Sequence, residues 1–192
     1  MIKTFPFLTL RTREIMRYAK VFKQSEEISV LLSEAVDRIK PLIKNTTEYQ
    51  FYPVCIEGDT VTIAGVSVRS KDLAKNLAGC KRVMLMAVTL GLAVDREIAA
   101  LSAIAPSKAV MLDACGVEAV ERLCDELIYF VEEQNKVKLR PRYSAGYGDL
   151  PLEFQKAIFK LLDCGKTIGL YLNDSMLMSP SKSVTAIVGV ED

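Results

Sequence analysis

The sequence contains no histidine. Without an imidazole, Ser-His-Asp and Cys-His nucleophile systems are excluded, as are HExxH zinc sites and any histidine ligand to a haem or other metal cofactor. An excess of one charge is also missing: 25 lysines and arginines face 24 aspartates and glutamates, leaving +1. General attraction to nucleic acid or to an anionic membrane is thereby excluded, and any basic groove has to be local. Long apolar runs are absent. The longest uncharged stretch, Val83–Val94, has twelve residues, where a membrane-spanning helix needs about 20. Arg11 interrupts the apolar Phe5–Leu10, so no secretory signal is expected and the protein is expected in the cytoplasm, with neither membrane nor nucleic acid as partner. The five cysteines, Cys55, Cys80, Cys115, Cys124 and Cys164, show no CxxC spacing and are odd in number. In a reducing compartment they read as small buried apolar side chains, not as a metal site or disulfides. No repeat, low-complexity tract or clear linker divides the chain.

What is present is 192 residues, half of them hydrophobic, enough to bury about 70% of the surface that the unfolded chain exposes. Residues 12 to 44 carry helical periodicity through Ile15, Ala19, Phe22, Ile28, Leu31, Leu32, Ala35, Ile39 and Leu42, with a break expected near Gln24–Ser25. Tyr49–Ile56 and Thr60–Val66 flank Glu57-Gly58-Asp59 as a β-hairpin. Ser70 is placed to cap a short helix ending near Leu77, and Arg82–Val88 reads as a buried strand. A helix from about Val94 to Ile104 stops at Pro106. The longest helix then runs from Ser107 to about Gln134 with an apolar seam of Val110, Ala114, Val117, Val120, Cys124, Leu127 and Val131. Beside that seam Glu118, Glu121, Asp125 and Glu132 share a face that reads as solvated. Gly116 lies inside the helix at a cost of about 1 kcal/mol against alanine, which the close approach of another backbone would explain, though packing alone would suffice.

Lys136, Lys138, Arg140 and Arg142 fall on alternate positions and would share one face of an extended chain. That row fits either an anion contact or an edge strand protected against aggregation. Arg142-Tyr-Ser-Ala-Gly-Tyr-Gly-Asp149 follows as a loop, with two glycines that let a ligand approach the backbone and two tyrosines with flat faces and polar tips. Asp149, Pro151 and Glu153 are expected to start a helix that buries Phe154, Ala157, Ile158, Leu161 and Leu162 and ends at Gly165. Ser175–Pro180 reads as irregular chain and Ser183–Val190 as a final strand. Helices and strands mix without strict βαβ alternation, which makes the fold class α+β with a largely antiparallel sheet. Gly165-Lys166-Thr167 is no phosphate loop, because Lys160 stands where its first glycine belongs. Gly146-Tyr-Gly148 is no dinucleotide fingerprint, because Pro151 takes the third glycine position.

Arg142-Tyr-Ser-Ala-Gly146-Tyr147-Gly-Asp-Leu-Pro151 resembles the R-P-x-P-G-Y-P-x-x-P signature of the activation domain of cobalamin-dependent methionine synthase. Ile168-Gly169, followed by Ser175-Met-Leu-Met178-Ser-Pro180-Ser-Lys-Ser183-Val184-Thr185, is similar to that family's I-G…S-x-x-M-x-P-x-x-S-V segment, and Arg122-Leu-Cys-Asp125 resembles its R-L-A-E stretch. The similarity covers about residues 107 to 190 and reaches back weakly to Leu85. On this resemblance residues 81–192 form an activation-domain-like region binding S-adenosylmethionine (AdoMet). Residues 1–80, an N-terminal helical segment and hairpin, either complete the same core or carry a docking surface.

The resemblance implies a reactivation role. AdoMet is presented to a corrinoid whose cobalt has fallen into the inert Co(II) state, an electron arrives from a flavodoxin-type donor, and methyl transfer restores methylcobalamin. By the same carry-over Arg142 would hold the AdoMet carboxylate, while the chain at Ser144, Ala145 and Gly146 would supply backbone contacts. Asp125 would face the cationic end of the ligand, and Tyr147 would stand at the corrin as the catalytic residue. Tyr143, Ala145 and Gly148 replace family prolines, and Asp125 replaces a glutamate. No cobalamin, homocysteine or folate module accompanies the motifs, so the resemblance implies a methyltransferase component that meets a cobalamin-binding methionine synthase subunit in trans. The alternative is a non-catalytic docking or chaperone module for a corrinoid protein that no longer binds AdoMet. A small-molecule methyltransferase is disfavoured, since no general base stands out.

Overall fold

The computed structural model describes residues 1–23 and 25–191. Its centre is β5 (Arg82–Thr89), buried at every position but the first. Met84, Met86 and Val88 point to one face of the sheet, and Val83, Leu85 and Ala87 to the other. This is the two-residue period of a strand covered on both sides, and it is why the segment reads as an unbroken apolar run. The sheet is antiparallel throughout, in the order β4 (Val66–Arg69), β3 (Thr60–Ile63), β2 (Thr46–Glu57), β5, β9 (Ser183–Glu191), β6 (Lys138–Leu139). The short β1 (Ile2–Lys3) also pairs with β2. Because β2 pairs with β5, one sheet runs through residues on both sides of position 80.

Helices cover both faces. On one side lie α1 (Thr12–Tyr18), α2 (Glu26–Ile39), α4 (Leu92–Ile104) and α5 (Pro106–Asn135), packed over Met84, Met86, Val88, Ala186 and Val188. On the other lie α3 (Lys71–Asn76), α6 (Gln155–Leu162) and α7 (Cys164–Ile168), over Val83, Leu85, Ala87 and Ile187. Ser25 caps α2 by accepting from the Ile28 amide, and Ser70 caps α3 through Leu73, as its position predicts. The expected break at Gln24 lies outside the described residues.

Several expectations need correction. Val110 is exposed, because the first turns of α5 pack against α2 and α4 as well as the sheet, and Ala109, Leu112 and Cys115 take the buried positions. Glu118 is not solvated: it is fully buried. Gly165 does not end α6. Asp163 does, in the left-handed conformation at φ +48°, which a short polar side chain tolerates, and Gly165 lies within α7. Met178–Ser179 is not irregular but forms β8, paired with β7 (Tyr171–Leu172). Four cysteines are buried and Cys55 is exposed. Gly116 is approached by the side chain of Lys182, not by backbone; a Cβ there would lie 3.0 Å from Lys182 Cε.

Candidate functional site

The loop after α5 is fixed on two sides. Tyr143 bridges to Ile187 of β9 through paired amide–carbonyl bonds of 2.9 and 2.8 Å, and the Ser144 hydroxyl donates to the Thr185 carbonyl at 2.8 Å. At the far end Asp149 does not start the helix that follows. Its carboxylate caps α3 instead, accepting from the Ser70 hydroxyl and from the amides of Lys71 (2.8 Å) and Asp72 (3.2 Å). The Ser70 hydrogen bond, with those amides, holds the Asp149 carboxyl below its ordinary range. Between these anchors the chain turns back on itself, with the Gly146 amide donating to Leu150 and the Leu150 amide to Tyr147. Gly148 sits at φ +52°, where a Cβ would run into the Asp72 carboxylate and stand 2.5 Å from the Tyr143 hydroxyl. Glycine is favoured there on both counts.

This folding leaves a cleft of about 420 Å³ between α5, the loop, α6 and the outer edge of β9, within the 300–1,000 Å³ typical of small-molecule sites. Arg142, Ser144, Ala145 and Tyr147 all line it, with Glu121, Gln155, Met178, Ser183 and Thr185. Tyr147 is 70% exposed, and its carbonyl accepts from the Tyr143 hydroxyl at 3.2 Å. The Ser144 and Ala145 amides have no partner among the described residues, whereas the Gly146 amide is spent within the loop. Gln155 is buried, and its side-chain amide has no partner among the described residues. A neutral residue with both a donor and an acceptor is thus set into the wall.

Arg142 is the electrostatic centre. Its Nη2 donates to Glu121 at 3.0 Å and to Asp125 at 3.2 Å. Burial alone would lower the guanidinium, but Cys124, Glu121 and Asp125 together hold it above its ordinary value. Burial pushes the adjacent Cys124 thiol up to about 12, so it stays protonated and unreactive. Asp125 is also 3.8 Å from the Nη2 of Arg11, and the Arg11 guanidinium makes a two-pronged contact with Glu118, Nε at 2.7 Å and Nη2 at 3.2 Å. The basic row is therefore split. Lys138 and Arg140 pair with Glu191, Lys136 closes α5 in the left-handed conformation, and only Arg142 turns into the cleft.

Asp125 is brought to Arg142 but is not among the residues that line the cavity; Glu121, one turn earlier, is. The sequence placed Glu121 in a solvated stripe. The signal that could have found it is the four-residue step from Glu121 to Asp125, which offers one outside arginine two carboxylates. Gln155 gave no such signal, since α6 meets the loop only in the folded chain, whereas Ser183 and Thr185 lie in the second family-like motif. Among the described residues no helix is long and apolar enough to cross a membrane, and no group of three His, Cys, Asp or Glu side chains gathers as a metal site.

No protein-family model matches the chain, and no curated protein matches its sequence. In fold the chain is similar to a solved structure, the crystal structure of the MetH reactivation domain bound to AdoHcy. It superimposes with a TM-score of 0.69 over 95% of this chain and 70% of that one, at 16% sequence identity. The helices on both faces of a mostly antiparallel sheet, with the cleft at the outer edge of β9, are thus built on the α+β fold of the MetH reactivation domain.

Proposed function

We propose that the cleft binds AdoMet, and that the protein serves a cobalamin-dependent methionine synthase as a reactivation subunit acting on a separate corrinoid protein. The observation that carries this reading is the cleft: Arg142 in its wall and open loop amides at Ser144 and Ala145, on the fold of a domain solved with AdoHcy. Arginine offers a planar fork suited to the ligand's carboxylate. Glu121 and Asp125 supply negative charge for its ammonium and sulfonium. The apolar walls at Ala145, Met178 and Val184 suit a flat base and its sugar.

The partner's corrinoid would supply the chemistry, accepting the methyl group once a flavodoxin-type donor has delivered one electron, with AdoHcy as the thioether product. This chain has to bind AdoMet, aim its methyl group outwards in line and exclude water. No proton moves, so the missing histidine is no handicap. Tyr147, exposed at the cleft mouth, would meet the partner's corrin. The working compartment would be the cytoplasm.

Titration calorimetry with AdoMet, with and without a methylcobalamin-type corrinoid protein, tests the reading. Micromolar or tighter binding is expected, weakened ten- to hundredfold in Arg142→Ala, the loss of about 1.5–3 kcal/mol that a charged hydrogen bond makes. Binding unchanged by the substitution would discard this site. One observation favours the second reading, a docking module without AdoMet: both acids already hold Arg142, so a ligand has to displace them. An absence of binding to any adenosyl ligand would favour it.

A further inference from the structure

The periodicity of residues 12 to 44 sets Phe22 in the inward stripe with Ile15 and Ala19, but the fold turns it out. Phe22 is 95% exposed, the highest value among the large apolar side chains of the described residues. α1 stops at Tyr18, Lys20 enters the left-handed region at φ +55°, and Val21 packs against the core instead. Lys20 and Lys23 flank Phe22 along the chain, both exposed and both without a side-chain partner among the described residues. The turn between α1 and α2 thus holds out an aromatic ring accompanied by two cations.

A groove of about 380 Å³ opens on the same helical layer, between α2, α4 and α5. It is floored by Leu31, Ala35, Leu101 and Leu112. A cavity of about 150 Å³ with such a lining already takes a benzene ring, so a phenylalanine side chain fits. Glu34 pairs with Lys108 at 2.7 Å beside this floor, and Arg38 pairs with Glu97. Asp37, also in the lining, has no partner among the described residues. Val30 and Ile104, close in the chain to lining residues, are exposed and extend the apolar surface.

Ring and groove are complementary in both shape and charge, yet Phe22 stands in water and does not fill the groove of its own chain. A second copy supplies the two halves together: an aromatic side chain for the apolar floor, and lysines for Glu34 and Asp37. The groove residues of α2 lie one to three turns beyond its first residue, about 8–18 Å along the axis. Two chains related by a two-fold axis can therefore make the contact twice and close the assembly. Each phenylalanine brings about 150–250 Å², a fraction of the roughly 1,200 Å² that a stable interface buries. Glu26 and Glu27, exposed in the first turn of α2, add like charge to the same surface. Both facts make the expected association weak.

We propose that the protein forms a symmetric homodimer in which Phe22 of each copy enters the α2–α4–α5 groove of the other, with Lys20 and Lys23 against Glu34 and Asp37. The proposal is independent of the reading of the cleft.

Sedimentation velocity on the full chain, from about 1 to 300 µM, tests it. Wild-type protein is expected to pass from 21.3 kDa to twice that mass, with a Kd of about 10–100 µM. Phe22→Ser alters only an exposed side chain; it should keep the wild-type melting temperature and weaken association at least about tenfold. Ala35→Leu puts bulk into the groove floor and should weaken it about as much. Asp37→Lys should weaken it about three- to tenfold through charge alone, and it reads the groove even if Ala35→Leu does not fold. Thermal melts on the same samples establish which variants are folded. A wild type that stays at 21.3 kDa throughout overturns the proposal and leaves ring and groove to a different protein. A dimer that persists in Phe22→Ser overturns it too. So does a dimer lost in Phe22→Ser but unchanged in the folded groove variants, which would seat the ring elsewhere.

Discussion

Two arginines from outside α5 meet acids on one face of that helix, one turn apart, with opposite consequences. Arg11 meets Glu118 where the carboxylate is fully buried, and it closes the contact with its backbone amide as well as its guanidinium. Arg142 meets Glu121 and Asp125 where both carboxylates are about two-fifths exposed and a cleft opens beside them. The chemical groups are the same. What differs is the route by which water or a ligand can replace a partner. A sealed pair can only be broken at the cost of an uncompensated charge, so it acts as a strut. An open pair is exchangeable, and exchange is what binding needs.

The largest expected effect tests the strut. Arg11→Ala should cost about 2–3 kcal/mol in urea unfolding. That is less than the 3–5 kcal/mol of a fully buried pair because the guanidinium itself is half-exposed. Next comes the wall of the cleft. Gly148→Ala forces a left-handed residue with a Cβ against Asp72 and Tyr143, and should cost about 1–3 kcal/mol while reducing ligand affinity.

The Asp149 cap has a pH signature. Its folded pKa lies below the ordinary value, so its contribution is fully present above the unfolded carboxylate range near about pH 4 and is lost as pH falls through the lower folded value. The stability gap between wild type and Asp149→Asn should therefore close in acid, and a gap that is constant from neutral pH downwards would remove the cap. The smallest effect belongs to the open pair: Arg142→Ala should change stability by less than about 1 kcal/mol, because the acids it leaves are reached by water. If that variant proves less stable than Arg11→Ala, the distinction between strut and exchangeable pair fails.

The sequence shows one half of this contrast and hides the other. β5 is legible because burial on both faces writes an apolar run, and Ser70 because a cap acts within three residues. The face of α5 is different. Glu118 and Glu121 carry the same side chain in the same register, and only Arg11, 107 residues away from Glu118, decides which of them is sealed. Asp149 misleads for the same reason. Its local context suggests the start of the next helix, but its donors lie 77 to 79 residues back in the chain. Arg142 and its loop were recoverable through resemblance, which carries long-range information that local pattern lacks. The four-residue step from Glu121 to Asp125 points to a shared arginine but not to the cavity-lining role of Glu121, because a solvated stripe and a cleft wall have the same pattern on a helix.

β9 follows every other element in the chain, yet it lies inside the sheet, between β5 and β6. Until residues 183–191 arrive, the outer edge of β5 has no partner, and Tyr143 and Ser144 have no Ile187 or Thr185 to bind. Closing the sheet requires loop closures over long sequence separations, which are slow. The cleft thus cannot be complete before β9 has joined the sheet, and a chain with only its helices and hairpin in place still lacks the candidate site.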